Sequence, residues 1–490
     1  MSETIAPQRE ATTYTLGRKR ERNFIGRLPM RTATVGLVGL LGFVLCMFAQ
    51  QVRMAIVVAL VAVVVGALVH FHRDGRSVVT SGRLVVAHWW RWLVGEDLYL
   101  SGPESRVPGG QRRAPGLLAG TELIEDVDAN GYPYGVIITA AEQQVTVKLI
   151  GQLSGDVLRS AEEEEDITAQ WGTCEAQWAH NRNLVTVVAR HSTRPSTGML
   201  ALREVETLDA PDAPQIAREI QFERATRLQA GGQDYEFELA FTLKVPGSQV
   251  RDRRFLEQLR YEVVAFYSGA LPWAGIEARP MTAAEIVAST HKAFNPASED
   301  DFEELEIKGQ DHGLPWADAG PAVAKATKRG YFHDGTWSRT WEMVAAPPAT
   351  FENKHLSPLL GQHSRIARKT VCMVYRPFPP GTAHSLVEAE HRDAMVGVND
   401  GKTIKSVDAE LRLEGTTASR KALAKGAGYG RRSMYVTATW LPGEDDRAID
   451  SDVDALANQL NIRIREMRRM HDSAFAFSLG AGALPFGKRD

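Results

Sequence analysis

Two uncharged apolar stretches near the N-terminus constrain this chain more than any other feature. From Thr32 to Val52 there is no charged residue, and Val35–Met47 is almost wholly apolar. After a single Arg53, Met54–Phe71 is again uncharged. Each stretch supplies about 18 residues, or about 27 Å of helix, which matches the hydrocarbon core of a bilayer. The Gln50-Gln51-Val52-Arg53 break has room only for a tight turn. The spacing therefore predicts a transmembrane helical hairpin over residues 32–72.

Charge sets the expected orientation. Arg18, Lys19, Arg20, Arg22, Arg27 and Arg31 precede the hairpin, Arg73, Arg76, Arg83 and Arg91 follow it, and the turn holds only Arg53. The positive-inside bias places both ends in the cytoplasm, giving a two-pass protein of the plasma membrane with a cytoplasmic basic leader over 1–31. A cleaved signal peptide is disfavoured, because the basic leader is long and a second span follows at once. Ala55, Ala59, Ala62 and Gly66 share one face of the second span, and small residues at this spacing let helices approach closely in lipid. Gly36, Gly39 and Gly42 are the residues expected to face them. In the juxtamembrane segment 73–96, the run Leu84–Leu93 places Val85, His88, Trp89 and Trp92 on one helical face. Trp89, Trp92 and Arg91 suit an interfacial anchor, with a core helix as the alternative.

The rest of the chain has a different character. The protein has 490 residues, of which 44% are hydrophobic and 24% charged, with 57 Lys+Arg against 60 Asp+Glu. That balance argues against a polycationic nucleic-acid coat, and a mean hydropathy of −0.23 excludes a polytopic transporter. The three cysteines (Cys46, Cys174, Cys372) lie too far apart for metal-ligand spacing or a disulfide framework. Residues 97–115 and 296–322 read as linkers. Between and after them, strand-like runs (121–126, 135–140, 143–149, 183–191, 235–245, then 330–333, 338–344, 365–375, 433–440 and 462–467) alternate irregularly with helix-like runs. The helices expected are Asp156–His180, Pro214–Gln229, Arg254–Tyr267, Thr282–Phe294 with a Thr282/Glu285 capping box, Ala383–Met395, Lys402–Lys425 and Asp450–Leu460. This pattern predicts an α+β class: the hairpin, then two cytoplasmic lobes, 115–295 and 325–490, each with helices on an antiparallel sheet.

Chemistry-bearing motifs fall short. Gly401-Lys402-Thr403 lacks the first glycine of a phosphate loop, because Val396 occupies its place. Gly482 to Gly487-Lys488 has the spacing but is followed by Arg489, and Pro485 lies inside it. Gly426, Gly428 and Gly430 fail the dinucleotide pattern at Arg431. No Gly-x-Ser-x-Gly elbow is present. The acidic run Glu162–Asp166 and the group Glu388, Glu390, His391 and Asp393 read as solvated or ion-paired helix faces, and Trp171, Cys174, Glu175 and Trp178 as core packing. No catalytic residue, cofactor or metal is therefore expected. Arg431, Arg432, Arg463, Arg465, Arg468 and Arg469 form a basic cluster suited to an acidic partner surface or, less naturally, to DNA.

Several short segments, in this order along the chain, resemble a family of integral membrane proteins encoded in actinobacterial integrative and conjugative elements. They are Tyr14–Arg22 before the double span, Leu271-Pro272-Trp273, Met281–Ile286, Phe294-Asn295-Pro296, Leu356–Leu360 with Arg365–Pro377, and Ala474–Phe477 with Leu484–Gly487. In that family the hairpin resembles PrgI-like subunits of type IV secretion, and the body resembles the non-motor N-terminal domain of the transfer ATPase. The resemblance implies a non-catalytic inner-membrane subunit, oligomeric within a channel complex, that docks a separate ATPase. The chain stops at Gly487-Lys488-Arg489-Asp490, where a fused motor would begin. The alternatives are an EccE-like subunit of type VII secretion, which also has a hairpin before a cytosolic domain, and a membrane-tethered enzyme with an unrecognised site.

Overall fold

The computed structural model describes residues 23–25, 28–73, 76–103, 105, 113–153, 160–228, 233–246, 252–345, 353–398 and 407–482. Asp156, the Gly401-Lys402-Thr403 loop and residues 483–490 of the second near-miss loop lie outside them. The chain divides into two compact units, residues 17–97 and the body from Leu98 onward.

The first unit is built on helices. Strands β1 (Asn23–Ile25) and β2 (Leu28–Pro29) pair before α1 (Met30–Phe48) and α2 (Val52–His70). β3 (His72–Arg73) and β4 (Arg76–Ser77) form a short antiparallel turn leading to α3 (Val78–Val94). The reversal between α1 and α2 uses Gln50 in the left-handed region, φ 56°. The Ser77 hydroxyl caps α3 by accepting from the Thr80 N–H at 3.3 Å. Gly95, at φ 78°, ends it, and the Glu96 N–H returns to the Arg91 carbonyl at 2.9 Å.

The body runs β5 (Leu98–Leu100), β6 (Thr121–Val127), β7 (Pro133–Thr139), β8 (Gln144–Leu153), α4 (Ala161–His180), β9 (Leu184–Pro195), α5 (Met199–Thr207), α6 (Gln215–Leu228), β10 (Gln233–Lys244), α7 (Arg253–Ser268), β11 (Ile276–Pro280), α8 (Ala283–Phe294) and α9 (Glu299–Ile307). It continues with β12 (Val323–Ala326), β13 (Tyr331–His333), β14 (Thr336–Ala345), α10 (Ser357–Leu360), β15 (Arg368–Pro377), α11 (Pro380–Val398), α12 (Val407–Ala424), β16 (Gly430–Trp440), α13 (Asp446–Gln459), β17 (Arg463–Glu466) and α14 (His471–Ser478). The α+β class holds, with one antiparallel sheet in place of two. Its order is β5-β12-β13-β14-β16-β15-β9-β10-β8-β7-β6, with β11 also on β8 and β17 also on β14.

The expected lobes 115–295 and 325–490 therefore share their sheet. β9 and β15 pair from Thr193–Lys369 to Val187–Tyr375. Separate lobes would leave each of these long strands as an open edge with unpaired backbone groups, and joining them covers both. The expected linker 296–322 also carries structure, since it contains α9 and its deeply buried Glu299. α4 begins at Ala161 rather than near Asp156, because Ser160 and Glu163 form the capping box.

The two halves repeat one another. In each, a β-meander (β6-β7-β8, then β12-β13-β14) is followed by a helix, a strand, a helical pair, a second strand, a helix, a short strand and a helix (α4-β9-α5-α6-β10-α7-β11-α8, then α10-β15-α11-α12-β16-α13-β17-α14), although α10 has 4 residues where α4 has 20. β11 returns to β8 as β17 returns to β14. Even single bonds match. The Met281 N–H donates to the Lys148 carbonyl and the Met467 N–H to the Thr340 carbonyl, both at 2.9 Å. The buried hydroxyl pair Thr146–Thr242 (3.0 Å) is mirrored by Ser338–Thr439 (2.6 Å).

Alternation along the strands gives the sheet two faces. On one, Leu149, Leu239 and Phe241 meet Cys174 and Trp178 of α4 and Leu259, Val263 and Phe266 of α7. Trp341, Val371, Val436 and Trp440 pack with Ile449 and Val453 of α13. On the other, α8 and α14 cover Ile137 and Ile150, with Phe294 and Phe475 ring to ring at 5.0 Å.

Gly428 and Gly430 serve packing, whereas Gly426 serves a left-handed turn at φ 93°. A Cβ on Gly428 would lie 2.6 Å from the Glu175 carbonyl oxygen and 2.8 Å from the Ala176 nitrogen, so α4 approaches this turn backbone to backbone. Gly428→Ala must push α4 off the sheet and is expected to lower the melting temperature more than Thr282→Ala. The latter removes only a helix cap, worth about 1 kcal/mol. Thermal melts followed by circular dichroism check the order.

Candidate functional site

α1 and α2 lie antiparallel with their small residues together. A Cβ on Gly39 would strike the Ala62 Cβ, one on Gly42 would lie 3.1 Å from Val58, and one on Gly66 4.0 Å from Val35. Ala55 is fully buried, and Ala59, Ala62 and Gly66 are half-buried on the same face. Gly36 meets nothing within 4 Å, so two of the three glycines expected opposite α2 face it. The remaining faces are apolar and exposed: Leu41 at 65%, Leu60 at 62% and Val63 at 71%. Val52–Val69 is one helix long and apolar enough to cross a membrane, 18 residues with a mean hydropathy of 2.8. The apolar part of α1, Thr34–Phe48, is shorter. On α3, Trp89 and Trp92 are exposed and Arg91 is half-buried.

The basic cluster does not form one cationic face. Arg432 is paired with the buried Glu175, and Arg465 with Glu342. Arg468 meets Glu466 at 2.6 Å, and Arg431 lies over the Phe378 ring at 5.8 Å. Arg463 is exposed, and Arg469 sits in a left-handed turn whose N–H donates to the Lys328 carbonyl. The helix-face carboxylates are similarly engaged: Glu388 with Arg420 at 2.8 Å and Glu390 with the Tyr429 hydroxyl at 2.6 Å. Among the described residues no group of three or more His, Cys, Asp or Glu side chains could hold a metal ion.

A buried ionic network is the feature that sequence reasoning missed. Lys148 on β8, Arg190 on β9 and Glu238 on β10 are at most 2% exposed. Glu238 Oε2 takes Lys148 Nζ at 2.7 Å and Arg190 Nη1 at 2.9 Å, while its Oε1 accepts from the Ser289 hydroxyl of α8 at 2.7 Å. Both cations also reach the end of α14. Lys148 Nζ donates to the Leu479 carbonyl at 3.2 Å, and Arg190 Nε to the Ser478 carbonyl at 3.1 Å. The negative end of a helix and two cations are mutually favourable. The chain then passes through Gly480 (φ 69°) and Gly482 (φ 77°), where a Cβ on Gly482 would strike the Thr146 hydroxyl. The start of the second near-miss phosphate loop is thus a tail seated on the sheet. A second branch centres on Glu299, which is paired with Arg194, with Lys292 at 3.1 Å and with Arg368 at 3.4 Å.

Electrostatics follow from this burial. Burial alone would raise the Glu238 carboxyl, but Arg190 and Lys148 outweigh it and hold the group down, to about 2. Burial pushes the Cys174 and Cys372 thiols up to about 12, so neither is a ready nucleophile. His333 on β13 is fully buried, its two ring nitrogens bonded to the Phe294 carbonyl and to the Ser338 hydroxyl (2.7 Å), and burial lowers it to about 4. A cavity of about 660 Å³ opens beside Tyr235, Glu236, Gln152 and Tyr267. The two arginines lining it are already paired, Arg194 with Glu299 and Arg279 with Glu285. This arrangement secures helices and tail to a sheet face and offers no activated nucleophile.

No protein-family model matches the chain, and no curated protein is significantly similar to it.

Removing Glu238 leaves two buried cations facing each other, so Glu238→Leu is expected to cost about 3–5 kcal/mol in urea unfolding. Acid should act in two stages. His333 titrates at 6.5 when exposed and about 4 when folded, so its stabilising contribution is complete above pH 6.5 and is lost as pH falls toward 4, at about 1.4 kcal/mol per unit. Glu238 loses its contribution lower, as pH falls from 4.5 toward 2. Unfolding midpoints at pH 7, 5.5 and 4 should therefore decline, and the decline should be shallower in His333→Gln.

Proposed function

We propose that this chain is a non-catalytic subunit of a membrane secretion machine, held in the plasma membrane by α1 and α2 as a two-pass hairpin with both termini cytoplasmic. The observation that carries the reading is the inversion within the first unit: small residues such as Gly39 and Ala62 face inward, and large aliphatic ones such as Leu41 and Val63 face outward. In water that arrangement exposes the most apolar surface, whereas in lipid it is the favourable one. α1 crosses with the help of local bilayer thinning or snorkelling of flanking residues, since its apolar part is the shorter.

The body works by presenting surface. The buried carboxylates Glu238 and Glu299 are paired with buried cations, and burial keeps the Cys174 and Cys372 thiols protonated, which suits a scaffold rather than an enzyme. The ordered resemblance along the chain supports a place in conjugative type IV secretion, with the body docking a separate transfer ATPase and acting through extended contacts. A type VII, EccE-like role would use the same hairpin and body with a different motor.

Affinity purification of the full chain from its native cells in mild detergent is expected to retain a separate transfer ATPase. Recovery of a type VII ATPase instead would move the chain to that machine, and recovery of neither would defeat the docking role. Reporter fusions at both termini are expected to be active only as cytoplasmic reporters, and an external signal from either end would overturn the two-pass orientation.

A further inference from the structure

α3 has the wrong side out for a helix in water. Its less exposed positions are Ser81, Leu84, His88 and Arg91, and none of its described residues is buried. The opposite arc holds Val78, Val85, Val86, Trp89, Trp90 and Trp92, at positions that a helix of 3.6 residues per turn gathers into less than half its circumference. Trp89, Trp90 and Trp92 are 57%, 61% and 60% exposed, and Val86 is 64% exposed. A side so apolar is covered by something.

Two observations on the chain say what covers it. The first is continuity. The Val78 N–H donates to the Phe71 carbonyl at 3.1 Å, so α3 starts at the very end of α2, where an 18-residue apolar span gives out. The second is charge. From Arg76 to Gly95 the sequence holds Arg76, Arg83 and Arg91 and no Asp or Glu. Indole rings favour the boundary between acyl chains and headgroups, and arginine next to them favours phosphate.

We propose that α3 lies along the surface of the bilayer as an interfacial helix, its Trp89-Trp90-Trp92 arc in the acyl boundary and its arginines toward anionic phospholipid headgroups. This rests on the membrane reading given above and adds to it a lipid class and a third attachment. It makes α3 a brace that fixes the exit of α2 at the headgroup layer.

The full chain carries ten tryptophans, and Trp89, Trp90 and Trp92 are the three within residues 17–97. It can be reconstituted into phosphatidylcholine vesicles containing phosphatidylglycerol and bromine-labelled lipid. Lipid brominated near the glycerol should quench tryptophan fluorescence more than lipid brominated near the chain end. That quenching should be lost in the Trp89→Phe/Trp90→Phe/Trp92→Phe variant and should weaken when phosphatidylglycerol is omitted. Absence of quenching in protein that resists carbonate extraction would overturn the interfacial helix alone, and would assign its apolar arc to a second copy or a protein partner. Release of the protein by carbonate would overturn the anchor itself. Equal quenching without phosphatidylglycerol would overturn the anionic preference.

Discussion

The pairing of β9 with β15 is the interaction on which the rest of the body depends. It turns two half-sheets into one and places strands from both at the centre, buried on both faces. Around that seam the halves repeat in order, in strand returns and in individual bonds. The body is best understood as a doubled unit whose two inner edges close on each other. Hydrophobic burial supplies the bulk of the stability on either face, but the seam decides that there is a single architecture to stabilise.

The halves have diverged where polar chemistry is concentrated. The first half carries Lys148 and Glu238, and Arg190 lies at the seam opposite Cys372. By strand register, Thr340 stands in the second half where Lys148 stands in the first, and Tyr435 where Glu238 stands. The ionic group sits where α14 and the residues after it, to Gly482, come down on the sheet. A buried ion pair is seldom the most stabilising way to fill a core. Here its cations bind carbonyls at a helix end, so it specifies where that helix docks. That is a role in positioning.

Much of this was legible in the sequence, and the failures have physical causes. Strands such as 235–245 and 433–440 announced themselves by composition and alternation, and the Thr282/Glu285 box marked its helix start. Gly39, Gly42 and Ala62 could be placed on facing helices from spacing alone. The seam was hidden because a strand buried on both sides reads the same whether its partner is near or distant in sequence. Lys148, Arg190 and Glu238 gave no signal of a network, since nothing local reveals that α14 will cover them. The six arginines near the C-terminus looked like one patch because Glu175 and Glu342, which neutralise two of them, lie far away along the chain.

The distance along the chain between the two seam strands also sets an order of events. β15 ends at Pro377, long after β9 ends at Pro195. At a synthesis rate of about 5–20 residues per second, roughly ten to forty seconds separate their emergence from the ribosome. Throughout that interval the nascent first half has a long, sticky flank and no mate of its own. Its hydrophobic hairpin has by then already emerged. That open flank is where neighbouring nascent copies could zip together in place of the proper halves.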